Sequence, residues 1–335
     1  MEESRDKSID IIRGIGLLLI ILAHVNPPFV ILQTRCFDVP LMLFVSGLSS
    51  SGKTISNYWE YIWRRSKRLL VPTYLFLTVY LFFLYLFQSL FAHNQVFVDW
   101  RIVFESYKMT GGIGYLWIIR VFFLIMLITP FLLKITKQLN NSSSLVLVLL
   151  AVGLATLIAW YSCHYIVSPS IKCLFDDWLS NIIGYSAPFV MGLAIRNSNK
   201  AERFFYLFSL FVVVCVALSF YIVHNGFPIR LSPEYKYPPQ SYYLIYGLFA
   251  SCLLWCLKGP ITRLLGTNTF LFIGRNTIWI YLYHIPSVLF VGFISNNWIV
   301  KYLLVLFVSI SCTYNQYMLS QKYKSRFSIC KYLIG

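Results

Sequence analysis

Ten apolar stretches follow one another along this chain of 335 residues, separated by short polar segments. A helix needs about twenty predominantly apolar residues to cross the hydrocarbon core of a membrane. The composition agrees, because 58% of the residues are hydrophobic and 12% are charged, whereas about a quarter are charged in soluble domains. The sequence therefore predicts an all-α, polytopic integral membrane protein with about ten transmembrane helices and a single domain, residues 1–335. The predicted spans are 9–26, 37–51, 72–92, 115–133, 144–163, 180–195, 204–223, 242–257, 270–294 and 299–319.

Proline residues mark two of the predicted helix boundaries. Pro27 and Pro28 are expected to end the first span, because proline lacks an N–H and disfavours helix at the preceding residue. Pro72 stands where the third span is expected to start, a position that suits proline. The second and sixth spans, 37–51 and 180–195, are short, which suggests that one of them is tilted or re-entrant.

The distribution of Lys and Arg predicts the orientation. With the N-terminus inside, the inner segments carry 18 of these residues and Arg13, Arg120 and Arg275 lie within spans. The outer side carries 7 when Lys301, at the start of the last span, is counted with the loop before it. Because positive residues are enriched on the cytoplasmic side, both termini and segment 53–71 are predicted to be cytoplasmic. Arg120 and Arg275 are expected to pair with carboxylate or backbone groups, or with phosphates of a ligand. The net charge of +16 is explained by topology and does not indicate a nucleic-acid partner.

Two ionisable residues lie inside the first span. Arg13 is near its start and His24 near its end, with ten residues between them, which is about 16 Å along a helix. Ionisable groups inside a membrane are costly and by default face protein or water and serve a function. The alternative is that Arg13 reaches the near interface and His24 lies at the far one, with neither taking part in chemistry.

Three further segments place polar residues in or beside the spans. They are 37–48 (FDVPLMLFVSGL), 64–72 (RRSKRLLVP) and 272–284 (FIGRNTIWIYLYH). An outer loop at 224–241 is rich in Pro and Tyr, which suits either stacking on a sugar or an interfacial aromatic belt.

Taken in order, these motifs resemble those of the acyltransferase-3 family, integral membrane acyltransferases that modify sugars of bacterial surface polysaccharides and other molecules. R-x10-H alone would be a weak signal, because any Arg and His in a membrane helix can match it, whereas all the motifs in order are specific. The R-x-x-R motif matches Arg65 and Arg68, but a second basic pair one residue earlier, Arg64 and Lys67, leaves its register ambiguous. The resemblance rests on R-x10-H at Arg13 and His24, V-P-L-x-x-F-x-S-G at 39–47, R-x-x-R at Arg65 and Arg68, G-x-N-x-x-x-x-Y-x-x-H from Gly274 to His284, and YLW at 115–117.

The resemblance implies transfer of an acyl group, most often acetyl from cytoplasmic acetyl-CoA, to a sugar hydroxyl of a lipid-linked or surface polysaccharide at the bacterial inner membrane. It implies that His24 is catalytic, and a neutral imidazole suits removal of a hydroxyl proton near pH 7. Arg65 and Arg68 would bind the acyl-CoA phosphates, because guanidinium pairs bidentately with phosphate; alternatively, they form a plain cytoplasmic anchor. Arg13 would hold a phosphate or the thioester region. Acetyl-CoA is a substrate here, and neither a bound cofactor nor a metal is expected.

Five further residues are candidates to line the site. Asp38 opens the second span and is expected either to orient the imidazole or to cap its helix. Tyr115 and Trp117 would line the acyl or sugar site, or pack in the core. Asn276 belongs to the motif that ends at His284, which is either a second polar group of the site or a helix-packing histidine.

A transporter or exporter of a polysaccharide intermediate is the competing function. Ten spans and charges within the membrane fit a transporter as well. Against it, the sequence shows no inverted repeat and no pair of half-helices flanking a site at mid-membrane depth. A structural membrane subunit would leave the arginines and the histidine of the motifs unexplained.

The orientation can be tested by cysteine accessibility. In a Cys-free background, Asn57→Cys should escape a membrane-impermeant maleimide in intact cells and react after permeabilisation, because segment 53–71 is predicted to be cytoplasmic. Glu234→Cys, in an outer loop, is the positive control. Labelling of position 57 in intact cells would reverse the orientation and remove the argument for a donor site on the cytoplasmic side.

Overall fold

The computed structural model describes residues 6–91 and 98–323, and within these ranges the regular elements are helices, with no β-strand. The all-α prediction is confirmed. The ends of the predicted cytoplasmic tails, residues 1–5 and 324–335, lie outside the described residues. The helices of the first half are α1 (Lys7–Ala23), α2 (Phe29–Thr34), α3 (Asp38–Ser50), α4 (Tyr58–Phe91), α5 (Trp100–Lys108), α6 (Trp117–Thr136) and α7 (Asn141–Tyr165). Those of the second half are α8 (Pro169–Cys173), α9 (Ser180–Ile195), α10 (Lys200–Asn225), α11 (Ser241–Cys256), α12 (Lys258–Leu265), α13 (Asn268–Arg275), α14 (Thr277–Gly292) and α15 (Trp298–Tyr323).

Among the described residues, seven helical segments are long and apolar enough to cross a membrane, and α11 with α12, bent by 68°, would make an eighth. Helices α1 and α14 have 17 and 16 residues and are slightly shorter. The protein is therefore a polytopic integral membrane protein. The count of ten spans and the cytoplasmic placement of both termini remain predictions. The seven segments are Phe29–Ser50, Tyr58–Leu90, Trp117–Thr136, Asn141–Tyr165, Pro169–Ile195, Lys200–Asn225 and Trp298–Tyr323.

The two spans that looked short in the sequence are both extended in the structure. The second gains α2 and runs over Phe29–Ser50, 22 residues. The sixth gains α8 and a π-helical segment, Leu174–Leu179, and runs over Pro169–Ile195, 27 residues. Each therefore has the length that a membrane crossing requires.

The third helix begins much earlier than predicted. Helix α4 starts at Tyr58 and carries Pro72 inside it, so the prediction that Pro72 starts a helix is wrong. Proline removes the N–H that would bond to the Arg68 carbonyl, but one missing bond does not break a helix this long. The polar segment before Pro72 contains no helix breaker, and the basic residues of 64–68, which the predicted span 72–92 leaves outside the helix, lie on it.

Two other predicted spans have different limits. Helix α1 ends at Ala23, and His24 is its C-cap, because the chain turns at Asn26, where φ is +54°. The predicted ninth span, 270–294, is broken at Asn276, whose φ and ψ of −110° and 29° are not helical. This break separates α13 from α14.

The described chain packs as two compact units. The first comprises the described parts of Met1–Ile55 and Leu127–Arg275, and the second those of Ser56–Met126 and Asn276–Gly335. Helix α6 contributes residues to both. The single domain over residues 1–335 remains a prediction.

Glycines allow close packing of α3 against α9 in the first unit. A Cβ atom on Gly47 would meet the carbonyl oxygen of Phe189, and one on Gly192 would meet the carbonyl oxygen of Phe44. Small residues permit such backbone approach between membrane helices, where packing drives association. The two glycines therefore set the distance between these helices.

In the second unit, α14 packs along α15 through small polar residues. The hydroxyls of Ser287 and Ser309 are 3.4 Å apart. Each also donates to a carbonyl four residues earlier, Tyr283 at 2.7 Å and Val305 at 2.6 Å. These hydroxyls are satisfied within the helices, as the membrane interior requires.

Gly192→Ala should destabilise the protein, because the added methyl group meets a backbone carbonyl that cannot rotate away. Overpacking of this kind costs about 1–3 kcal/mol. Gly153→Ala, the same change in α7, has no atom within 4 Å of the new Cβ and should be neutral or stabilising. Thermal unfolding of the two purified variants in detergent measures the difference. Equal melting temperatures would contradict the close contact of α3 with α9.

Candidate functional site

A buried carboxylate on α1 holds two arginines. Asp10 is 1% exposed. Its Oδ1 lies 3.1 Å from Arg13 Nη1, and its Oδ2 lies 3.3 Å from Arg275 Nε. Arg13 Nη2 also donates to the Ser49 hydroxyl of α3 at 2.6 Å. The prediction that Arg275 pairs with a carboxylate or backbone group is confirmed.

Close packing of α13 on α1 brings Arg275 to Asp10. A Cβ atom on Gly274 would meet the Asp10 carbonyl oxygen, and one on Gly14 would come within 3.1 Å of the Phe270 ring. Because both glycines lack that atom, the helix backbones approach closely enough for the guanidinium to reach the buried carboxylate.

The N-terminus of α1 is fixed by a second ion pair. Asp6 caps the helix by accepting from the Ser8 N–H at 2.9 Å, and Arg196 Nη1 donates to its Oδ2 at 2.5 Å. Burial alone would raise the pKa of Asp6, but the hydrogen bonds from Arg196 and Ser8 outweigh it and hold this pKa below its usual value. Asp6 is therefore ionised at neutral pH, and the pair holds α1 to the end of α9.

His24 lies at the other end of α1, just beyond its last helical residue. Its backbone N–H donates to the Ile21 carbonyl at 3.0 Å, and the residue is half-buried. An imidazole at a helix end, partly accessible, can meet a substrate hydroxyl more readily than one enclosed within a helix bundle. The catalytic role of His24 remains a prediction.

Asp38 lies at the same end of the helix pair as His24. Helices α1 and α3 run antiparallel, because Arg13, early in α1, contacts Ser49, late in α3, whereas Gly16, further along α1, lies against Met42, nearer the start of α3. His24 and Asp38 are each about 16 Å further along their own helix from that contact. The geometry is therefore compatible with the predicted pairing of a carboxylate with the imidazole, which stays a prediction.

The Asp38 carboxylate is held by two buried cations. Arg35 Nη1 lies 2.5 Å from Oδ2, and Lys236 Nζ lies 3.2 Å from Oδ1. Oδ1 also accepts from the Val39 N–H at 2.9 Å. Asp38 is the first residue of α3, with Phe37 at the N-cap position, so it is not the N-cap residue, although its carboxylate does accept from an N–H of the first turn.

The loop between α10 and α11 is attached to this cluster at two points. The Gln33 side chain accepts from the N–H groups of Leu231 and Ser232 at 2.8 and 3.0 Å, and donates to the Ser232 carbonyl at 2.7 Å. Lys236, four residues after Ser232, reaches Asp38. The loop is therefore fixed to α2 and α3 by one buried amide and one buried ion pair.

In the second unit, Arg65 and Arg68 lie one turn apart on the same face of α4. Arg65 is half-buried, with its guanidinium 5.8 Å from the centre of the Tyr61 ring, and Arg68 is exposed. Arg64 lies 3.6 Å from Glu60 in an exposed pair. The assignment of the R-x-x-R motif to Arg65 and Arg68 stays a prediction.

Tyr115 and His284 come together in the second unit. Their rings meet edge to face with centres 5.8 Å apart. The Tyr281 hydroxyl donates to the Tyr115 carbonyl, and His284 Nδ1 contacts the Tyr281 carbonyl. His284 is completely buried. These contacts favour a helix-packing role for His284, while the lining role predicted for both residues stays a prediction.

The other two lining candidates lie at helix starts. Trp117 is the first residue of α6 and is half-buried. Asn276 is buried at the break before α14, and its carbonyl accepts from the Ile280 N–H at 3.2 Å.

A cavity of about 720 Å³ lies within the second unit between α4 and α14. Its lining is almost entirely aliphatic and aromatic, with Gln316 of α15 as its one amide. Because no charged side chain or histidine lines it, the cavity is not a candidate for the transfer chemistry. Among the described residues, no three His, Cys, Asp or Glu side chains are placed to hold a metal ion.

Four residues of the two charged clusters were missed as candidates from the sequence: Asp10, Ser49, Arg35 and Lys236. Two local signals were available, because Asp10 and Arg13, and likewise Arg35 and Asp38, are three residues apart and of opposite charge, a spacing at which ion pairs form on a helix. The contacts of Ser49 with Arg13 and of Lys236 with Asp38 join residues distant in sequence and leave no local pattern.

Comparison with protein families matched most of the chain. A family described as "Acyltransferase domain", acyltransferase 3, matches residues 6–314. Searches of curated proteins and of solved structures found no match.

Asp38→Asn should destabilise the protein more than Lys236→Met. The first change leaves two buried cations without their carboxylate, which costs about 3–5 kcal/mol, whereas the second keeps the balanced pair of Arg35 and Asp38. Arg230→Gln, in an exposed pair with Glu234 in the same loop, is the control and should cost less than about 1 kcal/mol. Thermal unfolding in detergent ranks the three. A greater loss for Lys236→Met than for Asp38→Asn would contradict this charge balance.

Proposed function

Because this chain belongs to the acyltransferase-3 family, whose domain covers residues 6–314, we propose that this membrane-bound acyltransferase is an O-acetyltransferase of the bacterial inner membrane. The donor is cytoplasmic acetyl-CoA, and the acceptor is a sugar hydroxyl of a lipid-linked or surface polysaccharide. The observation that carries the proposal is the half-buried imidazole of His24 at the end of α1, on the helix whose other half holds Arg13.

The chemistry assigned to His24 is general base catalysis. The imidazole takes the proton of the sugar hydroxyl as the oxygen attacks the thioester carbonyl. A C–O ester bond forms, the C–S bond breaks, and the proton passes to the thiolate that leaves as coenzyme A. A positioned base of this kind contributes roughly 10²–10⁴ in rate. Acyl transfer through the imidazole itself would use the same residue as nucleophile.

Arg65 and Arg68 are assigned to the donor phosphates. Two guanidinium groups one turn apart on α4 can engage neighbouring phosphate oxygens with charge-assisted hydrogen bonds. Arg13 is assigned to a phosphate or to the thioester region. Its bonds to Asp10 and Ser49 support a cation held in one orientation.

The loop between α10 and α11 is assigned to the acceptor. Phe227 and Tyr237 are 75% and 51% exposed, and exposed aromatic faces suit stacking on sugar rings. An aromatic belt at the membrane interface would use the same residues. The membrane lipid is the further partner, and no nucleic acid is involved.

The decisive experiment compares two substitutions of His24. His24→Ala removes the side chain, and His24→Asn keeps a hydrogen-bonding group without useful basicity. Both should lower transfer of labelled acetyl from acetyl-CoA to glycan by about 10²–10⁴ at equal protein abundance in membranes. His164→Asn is the control, because that exposed histidine bonds only to the Trp160 carbonyl in the described structure.

The same assay separates the competing functions. A His24→Asn protein that stays active would refute the base mechanism while leaving the family membership intact. A transporter of a polysaccharide intermediate would transfer no label from acetyl-CoA, with or without His24. Comparison of the glycan from cells with and without the gene, by mass, would show the loss of acetyl groups if the proposal is correct.

A further inference from the structure

The charged cluster on α1 has more positive than negative charge. One carboxylate, Asp10, serves two guanidinium groups, so Asp10, Arg13 and Arg275 carry a formal charge of +1 together. The Arg13 side chain is 21% exposed and that of Arg275 is 46% exposed, while Asp10 is buried. The surplus charge is therefore at the accessible side of the cluster.

Arg275 presents the accessible edge of this cluster. It contacts Asp10 through Nε, so its terminal Nη1 and Nη2 are not used in that bond. Within the described residues, Arg275 makes no other hydrogen bond or ion pair. An arginine fixed at Nε and open at its two terminal nitrogens matches the fork geometry that binds a phosphate through two parallel hydrogen bonds.

Two features hold Arg275 in this position. It is the last residue of α13, where the negative end of the helix dipole stabilises a cation. The contact of Gly274 with the Asp10 backbone then fixes the distance from α13 to α1. The guanidinium is therefore positioned by the fold before any ligand arrives.

We propose that Arg275, with Arg13 beside it, binds a phosphate ester, and that Asp10 is the positioning residue that holds both guanidinium groups. Two molecules could supply such a group: the nucleotide part of the acyl-CoA donor, or the headgroup of a membrane phospholipid. The first source rests on the proposed function, and the second does not. Phosphate is favoured over a carboxylate ligand because its tetrahedral oxygens can accept from two guanidinium groups at once.

Arg275→Gln tests the proposal directly, because the residue is half-exposed and its loss should not prevent folding. If the acyl-CoA donor supplies the phosphate, the variant in full-length protein reconstituted in nanodiscs should bind labelled acetyl-CoA about tenfold or more weakly. Its use of S-acetylpantetheine, which has the thioester but no phosphate, should be unchanged. Arg275→Lys should recover part of the affinity. Arg263→Gln, which removes an exposed arginine of α12, is the matched control and should behave like the unaltered protein.

A second measurement distinguishes the lipid source. Melting temperatures are compared in vesicles of phosphatidylcholine alone and with added phosphatidylglycerol. If a lipid headgroup is the ligand, anionic lipid should stabilise the unaltered protein, Arg275→Gln should lose that gain, and its affinity for acetyl-CoA should be normal. If Arg275→Gln matches Arg263→Gln in both measurements, the phosphate site does not exist.

The role of Asp10 has its own test. Asp10→Asn removes the charge that holds the two guanidinium groups and should raise the KM for acetyl-CoA more than it lowers kcat, with Asp10→Glu recovering part of the loss. If Asp10 were merely structural, Asp10→Asn would lower the melting temperature and the protein yield without changing KM more than kcat. That result would overturn the positioning role. The unaltered protein could acetylate no glycan while Arg275→Gln still weakens acetyl-CoA binding as expected. That result would refute the proposed function and leave the phosphate site standing.

Discussion

The first unit depends on carboxylates that are removed from water and each compensated by two cations. Asp10 holds two arginines, and Asp38 holds an arginine and a lysine. A buried charge without a partner is among the most expensive features a membrane protein can contain, so the helices that supply these partners must meet at fixed positions. At the contact of α1 with α13, Gly14 and Gly274 allow that approach. Charge pairing and close packing are therefore met at the same place there.

The sequence predicts the fold class well, because the membrane imposes a strong local rule. Each span must be long, apolar and helical, so apolar stretches identify the helices without knowledge of their contacts. The motif pair of Arg13 and His24 was equally visible, since ionisable residues stand out in an apolar helix. Helix limits were less certain. Pro72 lies inside α4 and Asn276 breaks the predicted ninth span, because a single proline or polar residue affects one turn, and tertiary contacts decide whether the helix continues.

The partners of the charged residues could not be predicted in the same way. The contact of Lys236 with Asp38 joins residues 198 positions apart, and that of Arg275 with Asp10 joins residues 265 apart. The periodicity of a sequence does not indicate pairs so far apart, and the sequence alone offers several cations that could pair with each carboxylate. Arg275 was expected to find a carboxylate or backbone partner, but which one followed only from the packing of α13 on α1. The residue types of the candidate site can thus be predicted from the sequence, whereas their arrangement in space cannot.

The attachment of the loop between α10 and α11 has an evolutionary consequence. Gln33 binds the loop backbone at Leu231 and Ser232, and Lys236 is tied by its own side chain. Since these bonds use main-chain atoms and one lysine, the exposed aromatic side chain of Phe227 takes no part in them. A mutation at Phe227 is therefore insulated from the contacts that fix the path of the loop. Natural selection can vary the chemistry of this exposed position from one lineage to the next while the helical frame remains the same.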